Sequence, residues 1–186
     1  MKKTAICTVL AAMGLVAGVA HAAGTDPSVN GGVLTIDGEL TAQSCTINGD
    51  GQGNDFTVTL PTESTSNLAK AGSTTGSTGF NIALTNCTPE TGNVHTFWEY
   101  GANTLSDGNL KNNGDATKVE VQLEDFNGGS QQIIDVSKAD GGQNSQSVAI
   151  DSGAANLQYG AQYISPEGGA TAGKVTTNVT YSMAYD

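Results

Sequence analysis

Arginine is absent from this 186-residue chain, and charge of either sign is sparse at 13%. Histidine occurs twice, cysteine three times and tryptophan once. Each scarcity closes off a class of chemistry. A hydrolytic triad needs a base, and beyond the N-terminal leader the only histidine is His95. It stands in an alternating stretch between Val94 and Phe97, which reads as a histidine on a sheet surface. No Cys/His cluster has metal spacing. The Asn48–Asp55 loop has the composition of a calcium loop, but the twelfth place counted from Asp50 holds Pro61 where a Glu is required. Turn chemistry accounts for its Asn, Asp and Gly. No glycine run fits a phosphate loop or a dinucleotide fingerprint with a following helix. The carboxylates read as a solvated acidic surface, since nothing selects an acid/base pair among them. An enzyme, a metal site and a cofactor are therefore not expected.

Long apolar runs are also missing after the N-terminus. Lys2 and Lys3 precede an apolar, small-residue stretch over residues 5–20, and Ala20-His21-Ala22 is an A-x-A cleavage pattern. Residues 1–22 are expected to be a signal peptide and the mature chain to begin at Ala23. The alternative, a membrane anchor, asks for a longer run without Thr and Gly. Cleavage leaves two cysteines, five lysines and 18 acidic residues, a net charge of −13. Such a surface repels nucleic acid and anionic membranes. Two cysteines in an exported chain, Cys45 and Cys87, most simply pair with each other. The alternative is two buried thiols.

What is present is glycine, with 25 residues, and short alternating segments. From Val175 the odd positions carry Val175, Thr177, Val179, Tyr181, Met183 and Tyr185, and the even positions are small or polar. That is a half-buried β-strand ending at the terminus. A second clean alternation covers Gly32, Leu34, Ile36, Gly38 and Leu40, with Gly38 interrupting the apolar face. Phe56, Val58 and Leu60 predict a strand, residues 62–78 a long polar connection, and Phe80, Ile82 and Leu84 another strand. Residues 94–100, with Trp98 in the core, then 119–123, 131–136, 147–150 and 157–163 complete eight or nine strands, separated by loops such as 106–115. The length suits one all-β sandwich or barrel domain.

Several of these features together resemble the structural subunits of chaperone–usher fimbriae, most closely the major pilins of type 1-like fimbriae. The carriers are Val29-Asn30-Gly31-Gly32 followed by Ile36-Asp37-Gly38-Glu39-Leu40, with Gly38 seven residues before Cys45. To these are added the Cys45 and Cys87 pair, Asn86 beside Cys87, Gly173 fourteenth from the C-terminus and Tyr185 penultimate. The resemblance spans the whole chain.

It implies an incomplete immunoglobulin-like β-sandwich, residues 45–186, completed by a donor strand from a neighbouring subunit. Residues 23–44 would be the N-terminal extension that carries this strand, and Gly32, Leu34, Ile36, Gly38 and Leu40 would face successive pockets of the neighbour's groove. Gly173, Val179, Tyr181, Met183, Tyr185 and Asp186 would form the acceptor and chaperone-binding strand, and Cys45–Cys87 the family disulfide. The implied partners are further copies of the chain, a periplasmic chaperone, an outer-membrane usher and tip subunits. The implied location is the cell-surface fimbrium, reached through the periplasm. Asp186 departs from the neutral polar terminus expected of the nearest relatives, and sets an extra carboxylate beside the chaperone anchor. The alternatives are a minor tip or adaptor pilin, and a secreted carbohydrate-binding β-sandwich. Aromatic residues are too few to build the exposed face that such a sandwich requires.

Overall fold

The computed structural model describes residues 34–38 and 42–186. The predicted signal peptide and the donor positions Gly32 and Leu40 lie outside the described residues. Residues 1–39 and 40–186 are two separate units. In the first, residues 34–38 have no regular secondary structure, and Leu34 and Ile36 are each 82% exposed.

The second unit is all-β apart from one turn of 3-10 helix at Thr65–Leu68, capped by the Ser64 side chain accepting from the Ser66 N–H. Its strands are β1 (Ser44–Gly49), β2 (Ser73–Thr88), β3 (Gly92–Trp98), β4 (Leu110–Lys111), β5 (Glu120–Asp125), β6 (Gln132–Ile134), β7 (Val148–Ile150), β8 (Ala155–Ser165) and β9 (Tyr181–Tyr185). One sheet runs β1-β2-β8-β5-β4, with β6 also paired to β5, and the other runs β7-β3-β9. All pairs are antiparallel.

Period-2 alternation sets which side chains meet between the sheets. In β2 and β8 the pairs Phe80–Tyr159 and Ile82–Leu157 stand opposite each other, and Leu123 of β5 faces Ala161. All six are buried. From the second sheet, Trp98 is 2% exposed and meets Tyr159 edge-on at 5.3 Å between ring centroids. Gln143 holds Trp98 like a short piece of strand. Its Oε1 accepts from the Trp98 N–H at 2.9 Å and its Nε2 donates to the Trp98 carbonyl at 2.7 Å.

Three expectations are corrected. Residues 73–78, read as polar connection, are the first part of β2 and pair with β8. Residues 56–60, read as a strand, alternate in burial but have no ladder partner. The terminal strand, read from Val175, is ladder-paired only from Tyr181, so Val179 belongs to an unpaired stretch. The last two corrections share one cause, which is the candidate site.

Candidate functional site: an open groove between two unpaired edges

Residues 56–60 form one wall. Phe56, Val58 and Leu60 are half-buried, while Thr57 and Thr59 are exposed. Gly49 at the end of β1 leaves room for the Phe56 ring, which occupies the place a Cβ would take. Among the described residues, 56–60 make no backbone–backbone hydrogen bond. The Cys45–Cys87 disulfide ties β1 to β2 and closes a separation of 42 residues that contains this wall.

Residues 174–180 form the other wall, with Val175, Thr177 and Val179 half-buried and Thr176, Asn178 and Thr180 exposed. Its even residues are fastened outward. The Thr176 carbonyl accepts from Asn113 N–H at 2.8 Å, that of Lys174 from Ala116 at 3.1 Å, and that of Thr180 from Glu99 at 2.9 Å. Asparagine side chains fill the gaps. Asn112 Oδ1 accepts from Thr176 N–H at 2.9 Å, and Asn103 Nδ2 donates to the Asn178 carbonyl at 3.2 Å. Backbone groups of successive residues in an extended chain point to opposite edges. The N–H and C=O groups of Val175, Thr177 and Val179 therefore point the other way, toward the groove. Replacing Asn112 by Ala removes the acceptor of the exposed Thr176 N–H and should lower stability by about 0.5–1.5 kcal/mol. A urea midpoint equal to that of the parent chain would contradict this role.

Between the walls lies a cavity of ≈ 720 Å³ whose floor is core: Phe80, Trp98, Leu110, Val121, Leu123 and Ala161. Tyr163 and Val175 also line a second cavity of ≈ 680 Å³, floored by Leu68, Ala116 and Val119. The two make one groove. At its second end Gly173 is required by close approach, because a Cβ there would stand 2.5 Å from the Ala116 nitrogen. At its first end Tyr181 reaches across, its hydroxyl donating to the Asn54 carbonyl at 2.6 Å. Burial, and then the negative charge of Asp55, push the Tyr181 phenol above its ordinary range.

Of the other terminal positions, Met183 and Tyr185 lie in β9 opposite Thr96 and Val94, half-buried against the core. Asp186 follows β9 and its N–H donates to the Asn93 carbonyl at 3.0 Å. The acceptor residues named from the sequence are thus spread along one strand path, from Gly173 at the second cavity to Asp186. The walls at 56–60 and the asparagine supports were not anticipated as site. The alternation of residues 56–60 was the available signal for the first.

His95 is buried, at 7% exposure, rather than on the sheet surface. Asp140, 45 residues away, lies 2.7 Å from its Nε2 and covers it. Ser147 Oγ stands 3.5 Å from Nδ1, which gives the outline of a triad, but the serine hydroxyl donates to Asp186 Oδ2 at 2.5 Å. Its proton is committed to a carboxylate, so the arrangement provides no activated nucleophile.

Residues 60–186 match the family model described as FimA, type-1 fimbrial protein, A. The major fimbrial subunit SMF-1 of Stenotrophomonas maltophilia is 39% identical over 163 residues, covering 83% of this chain and 92% of that protein. The F17 fimbrial protein of Escherichia coli is 37% identical over 159 residues, covering 83% and 87%. A crystal structure of the P pilus rod subunit PapA superposes with a TM-score of 0.49 at 18% identity, covering 83% of this chain and 100% of that one.

Proposed function

Because this chain belongs to the type-1 fimbrial protein A family, we propose that it is a shaft subunit whose residues 32–40 fill the groove of the next copy. It is a non-enzymatic fimbrial protein, and fimbrial subunits assemble with one another into an extracellular pilus. The finer reading rests on one observation: two open strand edges flank a groove whose floor is hydrophobic core. An inserted strand supplies backbone partners to both edges and covers the floor.

The unpaired wall at residues 174–180 spans six residue steps, within the eight from Gly32 to Leu40. Leu34 and Ile36 are exposed in their own chain and free to be buried elsewhere. Burial of Leu34, Ile36 and Leu40 contributes about 5–9 kcal/mol before any hydrogen bonds. Before assembly the same core needs temporary cover, which a periplasmic chaperone provides by lending its own strand, and exchange for the next subunit's strand takes place at an outer-membrane usher. The name of the SMF-1 relative, a major subunit, favours the shaft over a minor position.

Gly38→Leu tests this reading. Gly38 is exposed, and a Cβ built on it meets nothing within 4 Å, so the substitution leaves the donating chain's own fold alone. Polymerisation should be blocked while the chaperone complex forms as before, as measured by fibre yield and co-purification. Equal loss of both would contradict the assignment.

A further inference from the structure

The two ends of the long strands β2 and β8 carry different charge. β2 extends about 50 Å from Ser73 to Thr88, and β8 returns beside it from Ala155 to Ser165. Three of the five lysines beyond the predicted leader stand at the Ser73 and Ser165 end. The Lys70 carbonyl accepts from the Ser73 N–H at 3.1 Å, and the Lys118 carbonyl accepts from Ser165 Oγ at 2.5 Å. Lys174 begins the second wall of the groove. All three are exposed, and none is in an ion pair among the described residues. Of the carboxylates at this end, Glu63 accepts from Asn67 at 2.8 Å and from Thr75 at 2.9 Å, while Asp115 and Glu167 are exposed. At the opposite end Thr88 pairs with Ser44, and the turns beside it carry Glu90 and Asp151, both exposed. These turns touch: the Gly153 N–H donates to the Glu90 carbonyl at 2.9 Å, and the Cys87 N–H to the Gly153 carbonyl at 3.0 Å. Neither turn contains a lysine.

We infer that the lysine-bearing end of one copy seats against the Glu90 and Asp151 end of the copy that donates its strand, a head-to-tail contact in addition to the strand itself. It rests on the strand donation proposed above. Shape gives the direction. Tyr181 crosses the first end of the groove to Asn54, where Gly32 brings no side chain, and the cavity floored by Leu68, Ala116 and Val119 takes Leu40. Leu40 is four residue steps from Ser44, a reach of at most about 14 Å. So short a linker holds the Ser44 end of the donor close to the Gly173 end of the acceptor. Charge then decides how well the two ends meet. With five lysines against 18 acidic residues, most faces of two copies repel each other. Lysines at one end and carboxylates at the other put opposite signs across this junction. A contact between two different surfaces of the same chain repeats along an open filament.

The test reverses the charges and reads chain assembly and peptide insertion separately. Assembly of refolded full subunits is followed by light scattering at about 0.01 M and about 1 M salt, where screening lengths are about 30 Å and 3 Å. At low salt the rate should fall about tenfold in Glu90→Lys with Asp151→Lys. Adding Lys70→Glu and Lys118→Glu to the same chain should restore it, and at high salt the parent and both variants should agree. The same loss is expected from Lys70→Glu with Lys118→Glu alone, which approaches the junction from its other side. Equal thermal midpoints serve as the fold control. A peptide spanning residues 31–41 carries the strand without the folded end, so it should enter the parent and the Glu90→Lys, Asp151→Lys subunit at one rate. Unchanged assembly on reversal, or no recovery in the fourfold variant, overturns the end-to-end contact while peptide insertion leaves strand donation standing. A subunit that admits no peptide overturns both.

Discussion

Replacing Leu34 and Ile36 together by Ala is expected to weaken strand insertion by about 3–6 kcal/mol, since each is a large aliphatic side chain moved from water into an apolar groove. That corresponds to roughly a 100- to 20,000-fold loss of affinity. Both residues are 82% exposed in their own chain, so the substituted subunit should fold normally and still accept a strand from an unsubstituted partner. Competition of a wild-type and a doubly substituted peptide for one subunit measures the difference directly. The asymmetry is the informative part, because the defect should follow the donor and leave the acceptor intact. Equal affinity of the two peptides would remove the groove floor from the proposed interaction.

Replacing Cys45 and Cys87 together by Ser is expected to cost about 4 kcal/mol, from the loop entropy released when a closure of this length is cut. The thermal midpoint should fall by roughly 10 °C for a domain of this size. The position of the bridge adds a functional consequence. It joins β1 to β2, and the intervening chain carries the unpaired wall at residues 56–60. That wall has no ladder of its own among the described residues, so the covalent tie, the Phe56 contact with Gly49, the Gln52 amide on the Thr57 N–H and carbonyl, and the Tyr181–Asn54 hydrogen bond hold it in place. Loss of the bridge should therefore reduce strand acceptance more than it reduces strand donation. Calorimetry on the oxidised and the substituted chains checks the first claim, and an unchanged midpoint would mean that the bridge carries no weight in stability.

The core strands were legible because their side chains contrast by parity. Phe80, Ile82 and Leu84 alternate against polar neighbours, and β8 repeats the pattern opposite them. The first part of β2 was not legible. Thr74, Thr75, Ser77 and Thr78 show no apolar face, and this strand is specified by its partner β8. Alternation at 56–60 and 175–180 correctly told which side chains turn inward, but a ladder is a property of a neighbouring strand, and among the described residues neither stretch has one along the groove. The burial of His95 depends on Asp140 and Asp186, and the support of the second wall on Asn112 and Asn103 reaching residues more than 60 positions away. Pairings that distant leave no local pattern to read.

Size-exclusion chromatography of the subunit, refolded from denaturant, with and without a peptide spanning residues 31–41, tests the proposed completion from outside most directly. Conversion of an unstable or polymerising subunit into a stable monomer by the peptide is the expected result. A subunit that is already a stable monomer, indifferent to the peptide even after deletion of residues 23–42, would contradict it, because the two open edges would then need no strand from another copy.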